Sequence, residues 1–191
     1  MKKFVSALLT MGTFLSASAE VVPAENPRVV LDTSMGKIVL ELYLGKAPET
    51  VGNFLSYIDA KSYDGSIFHR VIPNFMIQGG GFTADMKKKS SRAPIRNEAD
   101  SGLNNDRYTI AMARTGDPHS ATAQFFINTA KNDFLNFKNK TEQGWGYAVF
   151  GKVVEGIDTV DAISAVKTTT RGSYQDVPVK PVVIKSARRI K

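Results

Sequence analysis

The chain has 191 residues, a formal net charge of +7 and no cysteine. Without cysteine there can be no disulfide, thiolate catalysis, cysteine-ligated zinc or lipid anchored through cysteine. The length suits one domain with a sizeable core. The charge permits attraction to acidic surfaces but does not call for nucleic acid.

Lys2 and Lys3 precede an apolar stretch over residues 4–15, and Ala17-Ser18-Ala19 follows as a small-x-small site. That order predicts a secretory signal peptide cut after Ala19. The apolar run is too short for a membrane span, which needs about 20 residues. Cleavage removes two lysines and no acid, leaving 172 residues at net charge +5. No second stretch of membrane length follows, so a soluble exported domain is expected. Residues 20–27, with Pro23 and Pro27, read as a short linker, and residues 28–191 as the domain.

Residues 28–33 and 37–43 read as strands. In the second, Ile38, Leu40 and Leu42 alternate with Lys37, Val39 and Glu41. Ser34-Met35-Gly36 forms the hairpin turn between them, with Gly36 free to take positive φ. Residues 47–60 read as a helix. Pro48 fits its first turn, Glu49 suits the positive end of the dipole, and Val51, Phe54, Leu55 and Ile58 make one apolar stripe. Strands are expected at 66–72 and 75–78, after which Gly79-Gly80-Gly81 reads as a sharp break. Residues 83–103, polar and lysine-rich, read as a long surface excursion. Further strands are expected at 108–113, 124–128, 147–154 and 182–187, with a short helix at 157–166. About eight short strands and two helices, without repeats, predict a closed antiparallel barrel or a sandwich.

The stretch from Phe68 to Gly80, FHRVIPNFMIQGG, sets one arginine among apolar residues on neighbouring strands. Alternation puts Phe68, Arg70 and Ile72 on one face, with His69 and Val71 on the other. Gln124-Phe125-Phe126-Ile127 repeats the theme of amide and aromatics, and Val149-Phe150-Gly151-Lys152-Val153 follows. These three motifs, in this order, closely resemble the cyclophilin family of peptidyl-prolyl cis–trans isomerases, over roughly residues 27–185. Asn97-Glu98-Ala99-Asp100 and the run from Ile110 to Thr115 are most similar to exported, periplasmic-type bacterial members.

The resemblance implies a mainly β fold, an eight-stranded antiparallel closed barrel capped by two α-helices. It implies that Arg70 is catalytic and that Phe75, Met76, Phe126 and Leu135 line a proline pocket. Gln78 would bind the substrate carbonyl through its side-chain amide. Ala113 and Arg114 would hydrogen-bond substrate through their backbones, with Gln124 beside them. Phe134 stands where many relatives keep tryptophan, and Tyr147 where they keep histidine. Tryptophan's indole N–H helps to hold cyclosporin A, so weak cyclosporin A binding is expected here.

X-Pro bonds rotate slowly because the prolyl nitrogen shares its lone pair, and the barrier is about 18–20 kcal/mol. No bond is broken, so the expected scheme needs neither cofactor nor metal. His69 and His119, without clustered carboxylates, make a poor metal site. The glycine run lacks the Lys-Ser/Thr pair of a phosphate loop. Lys87-Lys88-Lys89 and Arg188-Arg189 read as solvated surface, and Asn139-Lys140-Thr141 as a sequon that matters only in a glycosylating host. The expected partners are proline-containing polypeptides among exported proteins, with no nucleic acid and no membrane insertion, and the expected state is a monomer. The expected destination is the periplasm or beyond the cell. Two other functions fit a barrel of this kind: a holdase chaperone that binds proline without catalysis, and a host-interaction factor.

Overall fold

A computed structural model describes residues 25–190. The expected signal peptide, residues 1–19, and most of the expected linker lie outside the described residues.

The chain runs through β1 (Arg28–Thr33), β2 (Gly36–Leu42), α1 (Pro48–Asp59), β3 (Ser66–Ile72), β4 (Met76–Thr83), β5 (Thr109–Met112), β6 (Phe125–Asn128), β7 (Val149–Glu155), α2 (Ile157–Ser164), β8 (Thr168–Arg171), β9 (Tyr174–Pro178) and β10 (Val182–Ile190). Eight strands close into an antiparallel barrel in the order β1-β10-β3-β4-β6-β5-β7-β2, while β8 and β9 form a separate hairpin. The barrel and both helices bear out the expected fold.

Alternation divides each wall strand between two environments. Ile77, Phe125 and Ile127 belong to one core cluster with the apolar stripes of α1 and α2, including Phe54, Ile58, Val160 and Ile163. The ring of Phe54 lies 5.1–5.5 Å from those of Tyr63, Phe125 and Phe150. Met76 and Phe126, their immediate neighbours in sequence, belong to a second cluster with Ala111, Leu135 and Val149. Phe75, Ala113 and Tyr147 pack against this second cluster.

The α1 amino terminus has no side-chain cap of its own, because Ala47 precedes Pro48. Glu98 supplies one from the 83–103 excursion. Its carboxylate accepts from Glu49 N–H at 3.2 Å, Thr50 N–H at 2.8 Å and the Thr50 hydroxyl at 2.7 Å. It satisfies orphan donors and places negative charge at the positive end of the helix. Tyr57 Oη accepts from Arg92 N–H at 2.7 Å, pinning the same excursion.

Four expectations need correction. Gly79-Gly80-Gly81 do not break β4 but lie inside it. At Gly79 and Gly80 the aromatic core leaves no room: a Cβ on Gly80, at φ +85°, would come within 2.8 Å of Tyr63, while one on Gly81 would meet the Gln124 side chain. Phe68 and Arg70 do not share a face. The β3–β4 register shifts between them, so Phe68 joins the inner core while Arg70 is exposed outside. Gln124 precedes β6 rather than opening it. The β8–β9 hairpin was not expected at all.

Candidate active site

The site lies on the outside of the barrel, where the outward faces of β3, β4 and β6 meet the segments after β5 and before β7. Arg70, Phe75, Met76, Gln78, Ala113, Arg114, Phe126, Leu135 and Tyr147 line one cavity of about 220 Å³. Register explains the gathering. Arg70 pairs with Gln78, Gln78 with Phe126, and Phe126 with Ala111, so these side chains step across one face.

The apolar wall is firm. Met76, Phe126 and Leu135 are buried. The Phe126 and Tyr147 rings meet edge to face at 5.7 Å. Arg114 covers Tyr147, its guanidinium carbon 4.7 Å from the ring centroid. Its guanidinium donates to the carbonyls of Gly146 at 2.9 Å, Thr115 at 2.8 Å and Gly116 at 3.1 Å. The Arg114 side chain is therefore committed to the wall.

Asparagines missed by the sequence reading fix this wall from behind. Asn132 Nδ2 donates to Phe75 O at 2.9 Å and to Asn128 Oδ1 at 2.7 Å. Asn128 Nδ2 donates to Asn105 Oδ1 at 3.2 Å. Asn105 Nδ2 lies 3.2 Å from Leu135 O and 3.4 Å from Tyr147 O. Three wall residues thus hang from one buried amide chain. Such a chain is strong when fully satisfied and costly when cut. The signal was Asn128 in a strand otherwise made of large apolar residues.

On the polar side, Gln78 Nε2 donates to Gln124 Oε1 at 2.9 Å. Gln124 therefore orients Gln78 without lining the apolar cavity. It borders an adjoining groove of about 340 Å³ with Lys88, Lys89, Ser91, Thr115 and Ser120. Ala113 N–H is consumed by Gln124 O at 2.9 Å. The β5–β6 ladder ends at Met112, which leaves the Arg114 backbone outside strand pairing.

His69 is 5% exposed. Burial, with Arg70's charge adding to it, lowers its pKa to about 4. It is therefore neutral near pH 7. His119 is exposed but not loose, since its Nδ1 accepts from Asn97 N–H at 3.1 Å and its ring meets Trp145 at 4.8 Å.

An arginine beside an apolar cavity, with an amide pair at its edge, sits on an eight-stranded barrel whose core is covered by two helices. The family model for cyclophilin type peptidyl-prolyl cis-trans isomerase/CLD matches residues 28–189. The chain belongs to the cyclophilin family. It is 66% identical over 160 residues to a Streptomyces antibioticus peptidyl-prolyl cis-trans isomerase, covering 84% of this chain and 96% of that one. It is 50% identical over 190 residues to peptidyl-prolyl cis-trans isomerase A of Dickeya dadantii, covering 100% and 98%. A solved Cryptosporidium parvum cyclophilin, crystallised in the presence of the dipeptide Ala-Pro, superposes with TM-score 0.71 at 25% identity, over 86% of this chain and 99% of that one.

In this cyclophilin, nine of the eleven expected site residues line one cavity. Gln124 stands behind Gln78, as described. Phe134 is the other exception. It is 64% exposed and stacks on Phe75 at 5.6 Å, forming an outer rim rather than a wall. No described helix is long and apolar enough to cross a membrane.

Proposed function

We propose that this cyclophilin catalyses cis–trans exchange of X-Pro bonds in exported proteins by gripping the proline ring against Phe75, Met76, Phe126 and Leu135 and turning Arg70 on the twisting amide. The observation that carries this reading is Arg70 on the same cavity as those four apolar side chains. As the bond rotates, the prolyl nitrogen becomes pyramidal and its lone pair becomes a good acceptor. A guanidinium N–H aimed there gains strength only in the twisted state, which is differential binding of the transition state. Arginine suits this better than lysine because its planar fork keeps charge and direction. The apolar wall lowers the local dielectric and strengthens that bond.

A hundred-thousand-fold acceleration needs about 7 kcal/mol. One charge-assisted hydrogen bond contributes roughly 1.5–3 kcal/mol. The remainder falls to desolvation and to Gln78, whose amide holds the substrate carbonyl in one orientation. Nothing in this scheme titrates near neutrality, and His69 stays neutral there, so the rate is flat between about pH 6 and 8.

Residues beside the proline would lie along the Arg114 backbone and in the groove bordered by Lys88, Lys89 and Ser91. The 83–103 excursion would then set preference, together with the loop 132–145. Export rests on the charge, apolar run and cleavage site of residues 1–19, and the working state is a monomer.

The test is NMR exchange spectroscopy on a proline-containing tetrapeptide with a catalytic amount of the mature protein. Exchange peaks between cis and trans forms are the expected result. Line broadening from binding without such peaks would overturn catalysis and make the barrel a holdase.

A further inference from the structure

The β8–β9 hairpin reaches the site from outside the barrel, and nothing in the chemistry above uses it. Its β9 strand packs on β3. Tyr174 meets Phe82 edge to face at 5.0 Å, and Phe82 lies 4.6 Å from the His69 ring. Arg171 Nη2 donates to Val179 O at 3.1 Å. Tyr174 thus anchors the hairpin to the barrel two residues before Asp176, and the Arg171 bond closes the hairpin's base.

Asp176 itself departs from strand geometry. Its φ is +59°, in the left-handed region that residues with a Cβ rarely adopt. The β8–β9 register shifts nearby, and alternation fails, with Val177 and Pro178 both buried. The result of this departure is a carboxylate at Arg70: Asp176 Oδ2 lies 3.8 Å from Arg70 Nε, with the two side chains 38% and 44% exposed. Non-glycine residues in sparsely populated backbone regions cluster at functional sites.

Arg70 needs such a partner. It lines two openings at once, the proline cavity and a groove of about 410 Å³ whose far wall includes Tyr174 and Asp176. Among the described residues, Asp176 is the one carboxylate within ion-pair distance of it. A long side chain with space on both sides is otherwise free to swing out of the cavity.

We propose that Asp176 is a positioning residue: it holds the Nε edge of Arg70 and leaves the rest of the guanidinium to the twisting prolyl amide. This rests on the isomerase reading above. The effect is modest because half-exposed ion pairs are weak, so removing the carboxylate lowers kcat about 2–5-fold.

Two variants keep the backbone in place. Asparagine tolerates positive φ, and glycine takes it without penalty. Kinetics on a proline tetrapeptide, melting temperature and ionic-strength dependence are measured for wild type, Asp176→Asn, Asp176→Gly and the hairpin control Gln175→Ala. Both Asp176 variants are expected to lose kcat at nearly unchanged KM, and Asp176→Gly to melt no lower than wild type. Added salt lowers kcat of the wild type and not of the variants, because screening removes what the variants already lack. Gln175→Ala matches wild type throughout. Wild-type kcat in both Asp176 variants, a raised KM with intact kcat, or a kcat loss that follows melting temperature each overturn the proposal. Hydrogen exchange of Arg70 Nε–H reads the pair without chemistry. Faster exchange in Asp176→Asn supports the pair even if the wild type fails to isomerise, and equal exchange refutes it.

Discussion

Phe125 and Phe126 are neighbours in one strand with opposite assignments. Phe125 faces inward among Phe54, Tyr63 and Phe68, in the cluster that joins both helices to the wall. Phe126 faces outward onto the proline cavity. Both are almost fully buried, so burial alone does not distinguish core from site. The difference is what lies opposite. The inner ring meets protein on every side, whereas the outer one leaves a cavity bounded by Arg70. One alternating strand thus serves stability with one face and binding with the other.

The largest effect should come from breaking the inner face. Phe125→Ala is expected to cost about 3–5 kcal/mol of stability in chemical denaturation, with activity lost only as the protein unfolds. A smaller stability loss than that of Phe126→Ala would undo the comparison.

Acid should act outside that core, through His69, which packs against Phe82 beside the outer groove. Its folded pKa of about 4 lies below the ordinary 6.5. The unfolded chain therefore takes up a proton that the folded protein resists. The His69 contribution is complete above pH 6.5 and fades as pH falls toward 4, by roughly 3 kcal/mol at the limit. Denaturation midpoints measured from pH 7 to 4 should show this fall, and His69→Phe should flatten it. Turnover should stay level between pH 6 and 8, and a bell-shaped profile there would put His69 into the chemistry.

On the outer face, Phe126→Ala should raise KM for proline peptides about tenfold, worth about 1.4 kcal/mol, with the larger part of stability retained. The smallest effect belongs to the rim. Phe134→Trp restores one indole donor and should tighten cyclosporin A about 2–10-fold, as one net hydrogen bond allows. Nanomolar affinity in the wild type by calorimetric titration would contradict the expected weak binding.

Much of this arrangement was legible in the sequence. Period-two alternation located β2, and the apolar stripe located α1, because each element buries one face. The site residues were legible through three family motifs, since outward-facing Phe75, Met76 and Phe126 look like core residues by pattern alone. What escaped had physical causes. The segments Thr168–Arg171 and Tyr174–Pro178 carry mostly polar side chains, so the hairpin gave no alternation to read, and Asp176 went with it. The glycine run imitated a turn because its small size answers to Phe68, Tyr63 and Gln124, side chains far away in sequence. The Phe68–Arg70 register shift hid which way the arginine points. Asn105, Asn128 and Asn132 meet only through long-range folding, which no local window contains.

The most direct test is the rate of prolyl exchange by Arg70→Ala, measured beside its melting temperature. The expected result is a loss of about 10²–10³-fold, as for removal of one transition-state donor, at wild-type melting temperature. Near-wild-type exchange in a folded Arg70→Ala would contradict the account, because the cavity alone would then be the catalyst.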